Sequence, residues 1–251
     1  MPDLHPGALG FGAAAEAYER GRPDYPAAAV NRLVERLGLR PGRMVLDLAA
    51  GTGKLTRALV PTGANIVAVE PIPEMRAQLE KRVPGVAAMT GTAERIPLGD
   101  CFVDAVVVAS AFHWFRSDEA LREIHRVLKP GGGLALIWNT RDQRDPLQAA
   151  ITALLEPLQG DTPRRRERDW RRLVDESGLF GPCETSLFRH RQALDEDGLV
   201  ERVLSISFVA AAPRSRRAEI EEQARALSRA RGGHAVLPYL TELYLAFRPL
   251  S

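Results

Sequence analysis

Residue types able to do chemistry gather in three short stretches of this chain. Asp47 stands just before a bend, Ala49-Ala50-Gly51-Thr52-Gly53-Lys54, and Glu70 closes the run Asn65 to Val69. Farther on, Ser110-Ala111-Phe112-His113-Trp114-Phe115 sets one histidine among aromatic rings. Glycines in a bend let backbone approach a ligand that a Cβ would hold off. A helix starting there offers N–H groups without intrahelical partners. A carboxylate about twenty residues past such a bend can accept both hydroxyls of a ribose. Together these residues describe a site for a nucleotide-like molecule.

Spacing separates three ligand chemistries that use a strand, a glycine bend and a helix. A phosphate loop of the Walker type needs glycine where this chain has Leu48 and a hydroxyl where it has Leu55. A dinucleotide fingerprint needs a third small residue at Thr56, and Asp47 puts a negative charge where a pyrophosphate lies. S-adenosylmethionine carries an ammonium and a sulfonium and no phosphate, so an acid beside the bend attracts it. His113, with an ordinary pKa of about 6.5, suits proton removal from an acceptor. Its alternative is a structural histidine stacked among Phe112, Trp114 and Phe115.

The elements that must position these residues alternate between strand-like and helix-like. Short apolar runs at Val45–Leu48, Asn65–Val69, Val86–Met89, Phe102–Ala109 and Leu134–Trp138 read as buried parallel strands. Thr185–His190 and Val236–Phe247 add a sixth and a seventh. Helical spacing marks Ala13–Arg20, then a helix opened by Pro26 with the stripe Val30, Leu33, Val34 and Leu37. It recurs at Pro73–Arg82, Asp118–Leu128, Pro146–Gly160, Asp195–Leu204 and Arg214–Arg229. Lys129 and the glycines after it read as the close of a helix, and the prolines of Arg22-Pro23-Asp24-Tyr25-Pro26 force an extended turn. Alternation of this kind predicts one α/β domain over residues 1–251. Within it we expect a mobile leader at 1–12, a ligand-binding core at 13–140, and helical insertions at 141–182 and 191–235 acting as a lid.

The totals narrow the function classes. With 251 residues and 45% hydrophobic content the chain closes a substantial core. A net charge of +2, from 34 basic and 32 acidic residues, gives no whole-molecule field for nucleic acid or membrane. Three of the basic residues are lysines, at 54, 81 and 129, so the chain is strongly biased to arginine. Cys101 and Cys183 offer neither a disulfide framework nor a metal-ligand spacing, which predicts a cytoplasmic protein without a metal. No apolar run approaches the length of a membrane span. The segment Arg164 to Arg172 interleaves arginines with Trp170, an RNA or protein grip on one reading and a solvated, self-paired helix face on the other.

The runs VLDLAAGTGKLT, VAVEP, GTAERIPL, DAVVVASAFHWF and IHRVLKPGGGLALIWN, in that order, resemble the motif set of class I S-adenosylmethionine-dependent methyltransferases. The likeness covers roughly residues 11 to 140, and Tyr18 to Pro26 is similar to small-molecule enzymes of the trans-aconitate and ubiquinone-biosynthesis type. It implies a Rossmann-like, doubly wound sheet of seven strands, mostly parallel with the last antiparallel, plus lid insertions. It implies S-adenosylmethionine as cofactor, touched by Tyr18, Arg22, Asp47, Ala49, Gly51, Gly53, Glu70, Ala109 and Ser110. Thr92, Ala93 and Glu94 border the adenine in relatives, many of which carry aspartate at the position of Thr92. Glu94 reads equally as a solvated loop acid, and Tyr25 equally as packing for the leader. On the acceptor side we place Tyr25, Phe112, Trp114, Asn139 and Arg141, with His113 as base. The last two of the five rest on position alone, and Asn139 with Asp142 reads equally as a polar turn.

The expected activity is methyl transfer to a small molecule, at oxygen or carbon, with nucleic acid and membrane not expected as partners. An RNA or protein methyltransferase, a non-catalytic cofactor-binding protein and a nucleotide-dependent oxidoreductase are the competing readings. The sequence leaves the oligomeric state open.

Overall fold

A computed structural model describes residues 15–160 and 169–250. The expected leader at 1–12 and the arginines 164, 165, 166 and 168 lie outside these residues. Five parallel strands, β1 (Met44–Leu48), β2 (Asn65–Val69), β3 (Ala87–Met89), β4 (Val103–Ala109) and β5 (Leu128–Arg141), form most of one sheet. β6 (Glu184–Asp195) and β7 (His234–Phe247) complete it in the order β3-β2-β1-β4-β5-β7-β6. Here β7 runs antiparallel to both neighbours. This is the mostly parallel, doubly wound sheet expected from the sequence.

Strand parity sorts the core into two layers. Val45, Ala105, Val107, Ala135 and Ile137 face α2 (Ala27–Leu37) and α3 (Lys54–Leu59), whose Leu33 and Leu59 are fully buried. Leu46, Leu48, Val106 and Val108 face the opposite way, onto α5 (Ser117–Val127) and α7 (Trp170–Glu176). Each fully buried leucine removes apolar area worth about 2 kcal/mol. α4 (Pro73–Arg82) covers the outer strands with Met75 and Leu79.

Two expectations shift. β5 begins at Leu128 rather than Leu134, because the stretch meant to close a helix instead pairs with β4 from Val103 onward. β6 runs on to Asp195 and β7 starts at His234, so the second insertion begins as a two-stranded ribbon. The end of that ribbon, with Ala235, Leu237 and Tyr239, is buried against α6 (Pro146–Leu155), α8 (Glu196–Leu204), α9 (Ser207–Ala210) and α10 (Arg214–Arg229). These helices form a cap with its own apolar core. α8 reaches the leading helix α1 (Ala15–Gly21) so closely that a Cβ on Gly21 would stand 2.5 Å from the carbonyl oxygen of Glu201. Arg20 pairs with Glu201 at 2.7 Å across the same seam. Among the described residues no helix is long and apolar enough to cross a membrane.

Candidate active site

The sheet reverses its winding between β1 and β4, and their carboxyl ends open the crevice where such sheets bind ligands. Both strands leave the sheet the same way. Ala49 and Ser110, each the first residue past its strand, adopt φ of 55° and 56°, a left-handed conformation rare without glycine. Such strain persists where surroundings impose it, and it clusters at ligand clamps. Gly51 follows with φ 59° and open space beyond its Cα, where a Cβ would meet only the Met75 methyl at 3.8 Å. Gly53 differs: a Cβ there would press on Leu79 at 3.0 Å and Val83 at 3.1 Å, so this glycine packs the bend onto α4.

A first cavity of about 800 Å³ lies above the bend. Glu70, 4% exposed, lines it, one carboxylate oxygen accepting from the Gly51 N–H at 2.8 Å and the other from the Ile72 N–H at 2.9 Å. Burial pushes its pKa up to about 7, against the pull of those two N–H groups and of Arg76. Ile72, Met75 and Ala93 give an apolar slot, and Thr92 and Glu94 form its rim. Glu94 is not merely solvated, since it accepts from the backbone N–H of Arg116 at the start of α5. Ala109, Ser110, Trp114 and Phe115 make the facing wall.

Asp47 departs from its expected place. It lies within β1, fully buried, on the face turned to α3, where Thr56 Oγ1 donates to it at 2.6 Å. Parity is the reason: Leu46 and Leu48 take one face, so Asp47 takes the other. It lines neither cavity described here, and burial raises its pKa to about 7 despite the Thr56 hydrogen bond. Thr56, which spoils the dinucleotide fingerprint, thus serves as a buried donor beneath the bend.

A second cavity of about 530 Å³ adjoins the first across Tyr18, Ala49, Gly51, Ala109 and Ser110. Arg22, Tyr25, Lys54, Asn139 and Arg202 add its polar lining. The Tyr25 hydroxyl and Ser110 Oγ are 2.9 Å apart, which ties the leading turn to the strained end of β4. Asn139 lies within β5 rather than in a turn. Its amide donates to the carbonyls of Pro23 and Asp24 at 3.3 and 3.1 Å, and its oxygen accepts from Thr241. Glu19, buried on α1, accepts from Thr52 Oγ1 at 2.6 Å and pairs with Arg57 at 3.0 Å, closing α1 onto the bend.

Of the acceptor-side expectations, Trp114 lines only the first cavity, and three more line neither. Phe112 is fully buried, edge-on to Phe115 and Trp170, because its short helical turn points it into the core. Arg141, the last residue of β5, pairs in register with Tyr239 and lines neither cavity. His113 stands beside Trp114, ring centroids 5.1 Å apart, and accepts from the Trp138 indole N–H through Nδ1 at 3.4 Å. It too is absent from both walls, the position of the structural alternative. Arg202 and Glu19 were missed by sequence reasoning. Arg202 has no local motif, and Glu19 reads as one more charge on an amphipathic helix.

Among the described residues no cluster of three His, Cys, Asp or Glu side chains is placed to hold a metal ion. The Methyltransferase domain family matches residues 46–136, the strands and loops that build the first cavity apart from Tyr18. An uncharacterized methyltransferase of Mycobacterium tuberculosis is 45% identical over 187 residues, 68% of this chain and 74% of that protein. An uncharacterized methyltransferase-like protein of Schizosaccharomyces pombe is 36% identical over 217 residues, 84% of each chain. In structure, the Haemonchus contortus phosphoethanolamine N-methyltransferase 2, solved with S-adenosyl-L-methionine, superposes with a TM-score of 0.57 at 17% identity. It covers 94% of this chain and 56% of its own.

The chain therefore belongs to the methyltransferases, and it is an enzyme. More narrowly, it is a class I, S-adenosylmethionine-dependent methyltransferase. Its cavity fits that cofactor on its own terms: a bend with no Cβ at Gly51, a carboxylate at Glu70 for a ribose diol, and no phosphate cradle.

Proposed function

We propose that this enzyme moves a methyl group from S-adenosylmethionine to a small molecule, at oxygen or carbon. The observation that carries the reading is the second cavity, which meets the first at Tyr18, Ala49 and Ser110 and is roofed by α1, the Arg22–Pro26 turn and α8. When bound, the cofactor supplies a methyl carried on a positively charged sulfur. Methyl transfer is an in-line displacement, so the protein's task is to align acceptor, methyl and leaving sulfur and to keep water out.

In this scheme Glu70 accepts the ribose hydroxyls while its bond to Gly51 fixes the bend. Ile72, Met75 and Ala93 sandwich the adenine, with Thr92 and Glu94 at its polar edge. Tyr18, Gly51, Ala109 and Ser110 bracket the reacting methyl at the junction. Arg22 faces the cofactor's amino-acid end beside the bend and Tyr25 the acceptor, and Trp114 closes the far side of the cofactor wall. Asn139 acts at one remove, pinning the turn that carries Arg22 and Tyr25. Asp47 and Gly53 support the bend from below.

A macromolecular acceptor finds less support. Of the arginine run, Arg171 and Arg172 are described, and they pair with Asp175 at 3.6 Å and Glu176 at 2.7 Å on their own helix. The test is methyl-tritiated S-adenosylmethionine in a host extract, split by a size filter after reaction. Label in the low-mass fraction, with its product identified, is the expected result. Label confined to RNA or protein overturns the reading.

A further inference from the structure

The turn of residues 22–26 roofs the second cavity, yet its main chain is held by one side chain. Among the described residues no main-chain hydrogen bond fastens Pro23, Asp24 or Tyr25 to another main-chain group. Asn139 takes that place, its Nδ2 amide donating to the carbonyls of Pro23 at 3.3 Å and Asp24 at 3.1 Å. Lys54 pairs with Asp24 at 3.0 Å, but the Asp24 side chain is 72% exposed, and such a pair contributes little.

An amide fits its site two ways, since its oxygen and nitrogen have the same shape. Turned over, Asn139 sets an oxygen against two carbonyl oxygens and releases the turn. Its orientation is decided on the far side, at β7. Thr241, fully buried and directly across from Asn139 in the β5–β7 register, donates through Oγ1 to Asn139 Oδ1 at 2.7 Å. The same Oγ1 stands 3.2 Å from Nδ1 of His190, on the edge strand β6. A hydroxyl has one proton, and Thr241 gives it to Asn139, so the second bond uses a proton on His190 Nδ1. Nε2 fits that tautomer, being buried without a partner, a place that a bare lone pair tolerates better than an N–H. Burial holds the His190 pKa below its ordinary range, so the ring carries one proton at neutral pH. The Tyr239 ring stacks on it with centroids 5.4 Å apart and fixes its plane. Donors thus point one way across three adjacent strands, from His190 to Thr241, from Thr241 to Asn139 and from Asn139 to the turn. In a buried chain each bond strengthens the next.

We propose that Thr241 and His190 are positioning residues for the methyl acceptor: by fixing which way the Asn139 amide points, they set the turn that brings Tyr25 over the second cavity. The proposal deepens the small-molecule reading and rests on it for its acceptor. Neither residue lines either cavity, so both act through Asn139.

The test compares Thr241→Val, which keeps the shape and removes the hydroxyl, with Thr241→Ser, which keeps the hydroxyl. Deuterium exchange reads the turn through the amides of Asp24 and Tyr25, since prolines have none. Thr241→Val speeds that exchange about tenfold, the worth of one buried hydrogen bond, and Thr241→Ser restores it. His190→Phe, which keeps the stacked ring and removes the donor, lies between the two. Equal exchange in the Val and Ser variants overturns the relay. So does an Nε2–H tautomer of His190 in long-range proton–nitrogen spectra of the unaltered enzyme, where the Nδ1–H form is expected. Calorimetry with 5′-methylthioadenosine, which lacks the amino-acid part of the cofactor, is unchanged in every variant, and a parallel loss there marks general loosening and overturns the relay as well. With saturating S-adenosylmethionine and the low-mass fraction of a host extract as acceptor source, Thr241→Val raises the amount of extract needed for half-maximal label about tenfold and leaves the maximal rate nearly unchanged. A fall in maximal rate with half-saturation unchanged overturns the assignment to acceptor binding. If that fraction takes no label from the unaltered enzyme, the small-molecule reading falls instead, and exchange at the turn still decides the relay.

Discussion

The two cavities share a wall and differ in sign. The first is apolar around one buried acid, Glu70, and the second is polar around two cations, half-buried Arg22 and buried Arg202. In both, burial shifts the ionisable group toward its neutral form, Glu70 upward and Arg22 downward. A fold selected for stability alone would avoid both arrangements, since each isolates charge from water. A ligand with hydroxyls on one side and an anion on the other relieves both.

The largest blow to the first cavity is Gly51→Val. A β-branched residue cannot hold φ 59° without strain, and its side chain fills the space where the cofactor approaches. We expect cofactor affinity to fall by at least about a hundredfold, measured by calorimetry, with circular dichroism unchanged. Affinity within threefold would detach the bend from binding.

Glu70→Gln comes next, removing the charged acceptor for the diol while keeping its shape. Cofactor binding should weaken by about ten- to a hundredfold, the worth of a charge-assisted hydrogen bond. The same variant tests the electrostatics. Folded Glu70 titrates at about 7 against an ordinary 4.5, so between those values the folded protein keeps a proton that the unfolded chain has lost. Stability of the ligand-free protein from this group is therefore greatest below pH 4.5 and falls as pH rises to 7, by an amount on the order of 3 kcal/mol. His125 and His190, half-buried and with pKa values lowered by desolvation, act in the opposite sense below their ordinary range, so the readout is wild type minus variant. The difference in melting temperature should move in favour of Glu70→Gln between pH 5 and 8, and a pH-independent difference breaks the assignment.

Tyr25→Phe touches the shared wall and should do less. It removes the hydroxyl paired with Ser110 Oγ, a net loss of about 1 kcal/mol. We expect a melting-temperature drop of a few degrees and a several-fold rise in the acceptor KM. A change in cofactor affinity alone would assign Tyr25 to the first cavity instead.

How far the sequence disclosed these two cavities differs for a physical reason. β2, α4 and α10 were read with their observed limits, because β-branched runs, a helix-opening proline and helical periodicity are local signals. Gly51 and Glu70 were legible because both sit on one strand–bend–helix–strand unit, from β1 to the end of β2. Asp47 was misplaced by looking at spacing and not parity, though Leu46 and Leu48 fix the parity. Arg202 was invisible, since it meets Arg22 only after the ribbon of β6 and β7 carries α8 back over α1. Tertiary assembly created that site, and no window of sequence contains it.

His113 gives the smallest expected effect and the sharpest test of that distinction between local motif and assembled site. As a motif it is the obvious base, a lone histidine at the carboxyl end of β4. In place, its Nδ1 accepts from Trp138 and its ring packs beside Trp114, off both walls. His113→Asn, which keeps a polar group near the indole, should leave kcat within about threefold and the pH profile of kcat/KM unchanged, because a general base contributes about a hundredfold or more. A hundredfold loss of kcat with cofactor affinity intact would return His113 to the reacting atoms and put the acceptor on the Trp114 side of the wall.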